Sequence, residues 1–142
     1  MFNPSQLDVR NFFFNVYQKH TGQQPLTDLE KIALSVIFEH PEYEKFLKNK
    51  DKYLTYQWAV DNNETNPFLH LSMHMTILEQ VSINQPFGIK TLYNDLCKKF
   101  ETTHNAEHEL MDCIAEMLWQ AQKNNSAPDQ NIYFECIQQK LN

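Results

Sequence analysis

The sequence predicts an all-α fold, in which residues 1–142 form a single-domain helical bundle of about five to six helices. Only two glycines occur among the 142 residues, which disfavours a turn-rich β architecture. Apolar residues recur at helical spacing, and proline, glycine and capping residues bracket each periodic segment. Since 42% of the chain is apolar, a substantial core can be buried, and we expect an up-and-down core with short additional helices.

Three helices are predicted in the first part of the chain. Ser5 follows Asn3-Pro4 and can cap the first helix, and Gly22 supplies its stop. Thr27 and Glu30 have the spacing of a capping box at the start of the second helix. The second helix ends before a proline, where a shorter third helix begins. The predicted ranges are 5–20, 28–40 and 41–50.

The second part of the chain predicts four further helical segments. An Asn and Asp cluster marks the stretch 55–67 as a loop. Asn66 then caps a helix with Pro67 at its first position. Gly88 opens the next segment, and the sequence "NNSAPD" separates the last two. The predicted ranges are 67–82, 88–100, 104–123 and 128–141.

The charge balance excludes several classes of protein. Twelve basic against 18 acidic side chains give a net charge of −6, so we expect neither nucleic-acid nor anionic-membrane binding, because phosphate contacts require a basic surface. Glycine-rich phosphate loops are absent from the sequence. No apolar run is long enough to span a bilayer, and the first residues lack the pattern of a signal peptide. The sequence therefore predicts a cytoplasmic protein.

The three cysteines, Cys97, Cys113 and Cys136, are far apart and form no CxxC motif. This spacing argues against a zinc knuckle or a thioredoxin-like site. We expect all three to be small buried hydrophobic residues.

Two pairs of histidines have the spacing of one helical turn. His70 and His74 continue the apolar stripe of their helix, and His104 and His108 extend the stripe of the long helix near the C-terminus. Burying a polar group without a partner costs about 1–3 kcal/mol, and helix interiors have already used their backbone donors and acceptors. Inward imidazoles therefore need carboxylates, water, each other or a metal ion.

We therefore predict a transition-metal site in which the four imidazoles converge from two neighbouring helices. Imidazole suits iron, zinc and several other first-row metals, and the sequence does not distinguish iron, zinc and manganese. Four residues are predicted as additional ligands or as groups that orient the imidazoles: His40, Glu79, Asp112 and Glu116.

The run "NFFFNVY" at 11–17 places Phe12, Phe13 and Phe14 around most of a helix circumference. At least one of these rings should face away from the main core stripe. It can cover a neighbouring helix or form a surface for self-association, most simply as a homodimer. A further protein partner would be of unknown identity. Trp119 lies beside the inward face of its helix, and we expect it to pack in the core.

Several motifs together resemble a bacterial family of small uncharacterised proteins, domain-of-unknown-function family 1841. They are "MFNPS" at the start, "EHPEY" at 39–43, "NPFLHLSMH" at 66–74, "EQVSINQPFGI" at 79–89 and "EMLWQAQ" at 116–122. The resemblance spans nearly the whole chain and implies a small bacterial protein without an established activity. The H-x-x-x-H spacing is also similar to that of hemerythrin-like bundles, but the full hemerythrin ligand pattern is absent, so oxygen carriage is not implied.

Three classes of function are compatible with the sequence. The first is a metal-binding helical protein with a redox, metal-handling or metallohydrolase role. The second is a non-enzymatic interaction or dimerisation module whose histidines are structural. The third is a sensor in which clustered histidines titrate with pH. A serine hydrolase is disfavoured because Ser72 points away from both neighbouring histidines and no glycine-flanked elbow is present.

Overall fold

The structure is a computed structural model that describes residues 5–59 and 65–142. Within these ranges the only regular secondary structure is helical, which confirms the predicted all-α class. The described residues form eight α-helices, not five to six, and one 3-10 turn. Seven ranges were predicted, and the eighth helix arises between residues 41 and 53, where a 3-10 turn and two short α-helices replace the predicted third helix.

The helices are numbered in chain order, and most predicted ranges hold within two residues. Their bounds are α1 Gln6–Thr21, α2 Asp28–Phe38, α3 Glu44–Leu47, α4 Lys50–Tyr53, α5 Pro67–Ile83, α6 Ile89–Phe100, α7 Thr103–Lys123 and α8 Gln130–Leu141, with the 3-10 turn at Pro41–Tyr43. The chain divides into two compact units, residues 1–75 and 76–142, and the boundary falls within α5. The predicted single domain therefore stays a prediction.

The first unit is organised by capped helices around an aromatic core. The side chain of Ser5 accepts a hydrogen bond from Asp8 N at the start of α1, whereas Asn3 and Pro4 lie outside the described residues. The predicted capping box is present in α2, since Glu30 N donates to Thr27 Oγ1 and Thr27 N donates to Glu30 Oε1. The core side chains include Phe13, Phe14, Val16, Val36, Ile37, Phe68 and Leu71.

Arg10 joins α1 to the segment that follows α4. Its Nη1 donates to the carbonyl oxygens of Tyr53, Leu54 and Tyr56, at 3.2, 3.1 and 2.6 Å. The guanidinium also lies 4.9 Å from the centre of the Trp58 ring. These contacts hold described residues of the predicted loop at 55–67 against α1, and residues 60–64 of that loop lie outside the described ranges.

The second unit contains the end of α5 and helices α6 to α8. Its buried side chains include Ile77, Ile89, Leu96, Leu110, Ile114, Tyr133 and Ile137. The buried Tyr133 hydroxyl donates to Gln80 Oε1 at 2.9 Å, and burial raises the pKa of this tyrosine. Gly88 precedes α6 with φ 97°, a backbone conformation that glycine adopts without the steric penalty of a side chain.

A disulfide corrects the prediction that all three cysteines are small buried hydrophobic residues. Cys113 on α7 and Cys136 on α8 are bonded, with their Cα atoms 5.5 Å apart. Only Cys97 has a free thiol, and it is half-buried. The pair was missed because the two cysteines are 23 residues apart and lie on separate helices, so no local spacing reports their contact.

The prediction that Trp119 packs in the core is wrong. Trp119 on α7 is 54% exposed, and Lys123 Nζ lies 5.0 Å from the centre of its ring. Phe13 and Phe14 are buried, whereas Phe12 is partly exposed and contacts Phe13 edge-on. The predicted homodimer remains a prediction.

None of the helices in the described ranges combines the length and the apolar character that a membrane-spanning segment needs. The predicted cytoplasmic location also stays a prediction.

Candidate metal centre

His40 is held in one orientation at the end of α2. It is 4% exposed, and its Nδ1 lies 2.8 Å from the carbonyl oxygen of Val36. Because a carbonyl oxygen only accepts hydrogen bonds, Nδ1 carries the proton of the neutral ring, and Nε2 carries the lone pair. The Tyr43 ring stacks on the imidazole at 5.3 Å with an interplanar angle of 4°, which fixes the plane in which this lone pair lies.

His70 and His74 bring two further nitrogens to His40. Asn66 Oδ1 accepts hydrogen bonds from the backbone N–H groups of Phe68 and Leu69 and so fixes the start of α5. One helical turn separates the two histidines. His70 Nε2 lies 3.1 Å from His40 Nε2 and 3.3 Å from His74 Nε2.

The three rings form a compact cluster within the first unit, which we call the histidine cluster: His40, His70 and His74. Their ring centres are 4.6 to 4.9 Å apart, and each pair meets edge-to-face. His74 is fully buried, whereas His70 is partly exposed.

Two nitrogen distances within the histidine cluster match those of neighbouring ligands around one metal ion, and a nitrogen of His40 lies within 4.8 Å of a nitrogen of His74. Bonds of 2.0–2.1 Å at angles between octahedral and tetrahedral values place neighbouring ligand nitrogens about 2.9 to 3.4 Å apart. The two Nε2 distances, 3.1 and 3.3 Å, fall in this range. The sequence predicted the inward pair on α5 and treated His40 as a subsidiary ligand, whereas the structure places His40 within the cluster itself.

The tautomer of His40 limits which of the two short contacts between neutral imidazoles can be hydrogen bonds. His40 Nε2 is an acceptor, because the proton of that ring is on Nδ1. His70 Nε2 must therefore carry a hydrogen to contact it favourably. The same hydrogen would then have to serve His74 Nε2, so at most one of the two short contacts can be a well-aligned hydrogen bond.

The second predicted pair, His104 and His108, lies on α7 in the second unit. The two rings meet edge-to-face with their centres 4.2 Å apart, and a nitrogen of one lies within 4.8 Å of a nitrogen of the other. Both side chains are partly exposed. The pair can therefore offer two neighbouring ligand atoms, as its spacing predicts. The convergence of the two predicted pairs on one ion stays a prediction.

Glu107 is a buried carboxylate on the same face of α7 and was not predicted as part of a site. It is 3% exposed and accepts a hydrogen bond from the Tyr93 hydroxyl at 3.2 Å. Burial, together with this carboxylate, raises the pKa of Tyr93, so the phenol stays protonated and serves as a donor. Glu107 lies three residues after His104 and directly before His108, so all three side chains lie on one face of the helix. This spacing is the sequence signal that could have identified Glu107 as part of the site.

The predicted carboxylate ligands lie at the protein surface. Glu79 is exposed, and Glu116 accepts a hydrogen bond from Gln120 Nε2 at 2.8 Å. Asp112 lies 3.4 Å from Lys140 Nζ, which also contacts Glu109 at 2.5 Å.

The carboxylate of Asp112 takes part in an ion pair with Lys140. Burial alone would lower the pKa of Lys140, but Glu109 and Asp112 outweigh that effect and raise it. The geometry therefore gives Asp112 a role in an ion pair between α7 and α8.

Comparison with known proteins identifies one family whose model matches the chain. The model of the family described as a domain of unknown function (DUF1841) matches residues 5–139. No curated protein and no solved structure matches the chain.

Proposed function

The chain belongs to the DUF1841 family, and we propose that its function is to bind a first-row transition metal ion through His40, His70 and His74. The observation that carries this proposal is the pair of Nε2 distances, 3.1 and 3.3 Å, within the histidine cluster. Iron, zinc and manganese are the candidate ions, since imidazole ligands alone do not select among them.

The contacts around the cluster support this proposal, because a metal site requires ligand rings that are already oriented. The hydrogen bond from His40 Nδ1 to Val36 O directs the Nε2 lone pair toward the other two rings. A backbone carbonyl in this position is a common partner of metal-bound histidine and makes the ring a stronger ligand. Stacking of Tyr43 reduces the freedom that His40 would lose on binding.

Three imidazoles leave coordination positions open on any first-row ion. A three-histidine zinc site retains a fourth position for water or substrate, and octahedral ions retain three. Water would complete the shell at these positions.

Zinc binding by the untagged protein tests the proposal. After metal removal and dialysis against zinc, elemental analysis should find a single tightly held ion per chain. The His70→Ala variant should retain little zinc while it keeps its helical circular-dichroism spectrum, because His70 is partly exposed and contributes less to the core than His74. A wild-type chain that retains no zinc would overturn the proposal.

Metal affinity should fall as the solution becomes more acidic. A histidine must be neutral to bind a metal ion, and free imidazole takes up a proton near pH 6.5, so protons compete with the ion at about this pH and below. Each ligand imidazole that must release a proton adds up to about a tenfold loss of affinity per pH unit below that range. Competition titrations with a zinc-binding dye between pH 5.5 and 8 would measure the slope, each corrected for protonation of the dye. An affinity independent of pH would contradict histidine ligation.

A further inference from the structure

A cavity in the first unit combines a buried cation with apolar and amide side chains. Its volume is about 580 Å³, and its wall includes Gln6, Arg10, Gln57, Trp58, Leu69 and His70. This volume is in the range of small-molecule binding sites and exceeds what a single inorganic ion needs. His70 belongs to both the cavity wall and the histidine cluster.

Arg10 gives the cavity its charge. The residue is only 6% exposed, and an arginine side chain stays protonated even when it is buried. Burial lowers the pKa of the guanidinium, and among the described residues no carboxylate forms an ion pair with it. A buried charge without a counter-ion is costly, and three backbone carbonyls compensate it only in part.

The hydrogen bonds of Arg10 leave one edge of the guanidinium for a ligand. All three bonds to backbone carbonyls come from Nη1. The edge formed by Nε and Nη2 matches the two oxygens of a carboxylate, which arginine binds with two parallel hydrogen bonds. The Trp58 ring, which lies beside the guanidinium, and Leu69 provide apolar surface for the rest of such a ligand.

We propose that this cavity binds a small organic carboxylate, whose carboxylate group pairs with Arg10 and whose apolar part contacts Trp58 and Leu69. The proposal goes beyond metal binding and does not require a metal ion in the histidine cluster. Because His70 also lines the cavity, the ligand would lie beside that cluster.

Benzoate and benzamide are suitable probes, since they share a shape and differ in charge. The titration uses metal-free protein with a chelator present, so a failure of metal binding does not affect it. In a Trp119→Phe background, Trp58 is the only tryptophan and reports binding by fluorescence. Benzoate should bind at least about tenfold more tightly than benzamide, as expected for hydrogen bonds to a charged group.

Substitutions at Arg10 and Leu69 test whether benzoate binds in this cavity. Arg10→Lys keeps the positive charge but loses the planar edge, and it should weaken benzoate binding at least about tenfold. Leu69→Glu adds a negative charge at an exposed position in the first turn of α5, and it should abolish benzoate binding. The neutral Leu69→Gln loses only an apolar contact, so it should weaken binding but leave it measurable. The Leu69 pair remains informative if the Arg10 variant fails to fold.

Three results would overturn the proposal. The first is no saturable benzoate signal up to about 10 mM, which corresponds to less than 3 kcal/mol of binding free energy. The second is equal affinity for benzoate and benzamide, which would mean that Arg10 does not recognise the charge. The third is stronger binding of phenyl phosphate than of benzoate, which would assign the cavity to a different anion.

Discussion

Replacement of His74 by alanine is expected to lower the affinity for zinc at least about 100-fold. Loss of a hydrogen-bonding partner of a metal ligand already costs about 10–100-fold, and His74→Ala removes a ligand itself. In the wild type, zinc at 100 times its dissociation constant should stabilise the fold by about 2.7 kcal/mol. The variant should lose this zinc-dependent rise in melting temperature, and a chelator should have the same effect on the wild type.

His20→Ala is the matched control for this experiment. His20 is exposed on α1 and contacts Phe38 edge-on, so its removal should change neither zinc affinity nor the zinc-dependent stabilisation. His74 is fully buried, and its replacement will also destabilise the metal-free protein. The difference in melting temperature with and without zinc is therefore the quantity to compare. Equal differences in the wild type and in His74→Ala would contradict ligation by His74.

Loss of the disulfide should have a comparably large effect on stability. The Cys113–Cys136 bond closes a loop between residues separated by 23 positions. The loop-entropy model assigns a bond of this kind about 3 kcal/mol of stabilisation. Cys136→Ser should therefore lower the melting temperature by about 10 °C for a chain of this size, as measured by circular dichroism under oxidising conditions.

Cys97→Ser provides the control, because the Cys97 thiol is free and half-buried. Its replacement should cost much less than the loss of the disulfide, and a reductant should destabilise this variant as strongly as the wild type. In the predicted cytoplasmic location, this bond would be exposed to reduction, since reducing compartments keep most cysteine pairs as thiols. Mass spectrometry that finds three alkylated thiols in protein prepared without reductant would show that the bond is absent.

Periodicity and capping residues were sufficient to predict most of the helices, because both act within a few residues of sequence. Asn66 and the Thr27–Glu30 capping box fixed two helix starts correctly. The region 41–53 was predicted as a single helix at 41–50, since its three pieces are too short to show a helical period of their own. Asn49 separates α3 from α4, because its backbone angles, φ −128° and ψ 68°, are not helical. Contacts between residues far apart in sequence leave no local pattern in the sequence. Examples are the disulfide and the hydrogen bonds from Arg10 to the backbone after α4.

In the histidine cluster, too, the local features were predictable and the contacts between distant residues were not. The inward placement of His74 followed from the 3.6-residue period of α5, and its burial confirms that prediction. His40 lies 30 residues before His70 at a helix end, where periodicity gives no direction, so its position in the cluster required the tertiary structure. Among the acidic residues near the histidines in sequence, Glu79 and Asp112 are exposed, whereas Glu107 is buried on the histidine face of α7.

X-ray absorption at the zinc edge of the zinc-loaded, untagged protein tests the central claim most directly. We expect a first shell of nitrogen or oxygen ligands at about 2.0–2.1 Å, with outer-shell scattering from at least three imidazoles. The His40→Ala and His70→Ala variants should each lower the imidazole count. A zinc shell without imidazole scattering, or a protein that retains no zinc, would contradict a metal site at His40, His70 and His74.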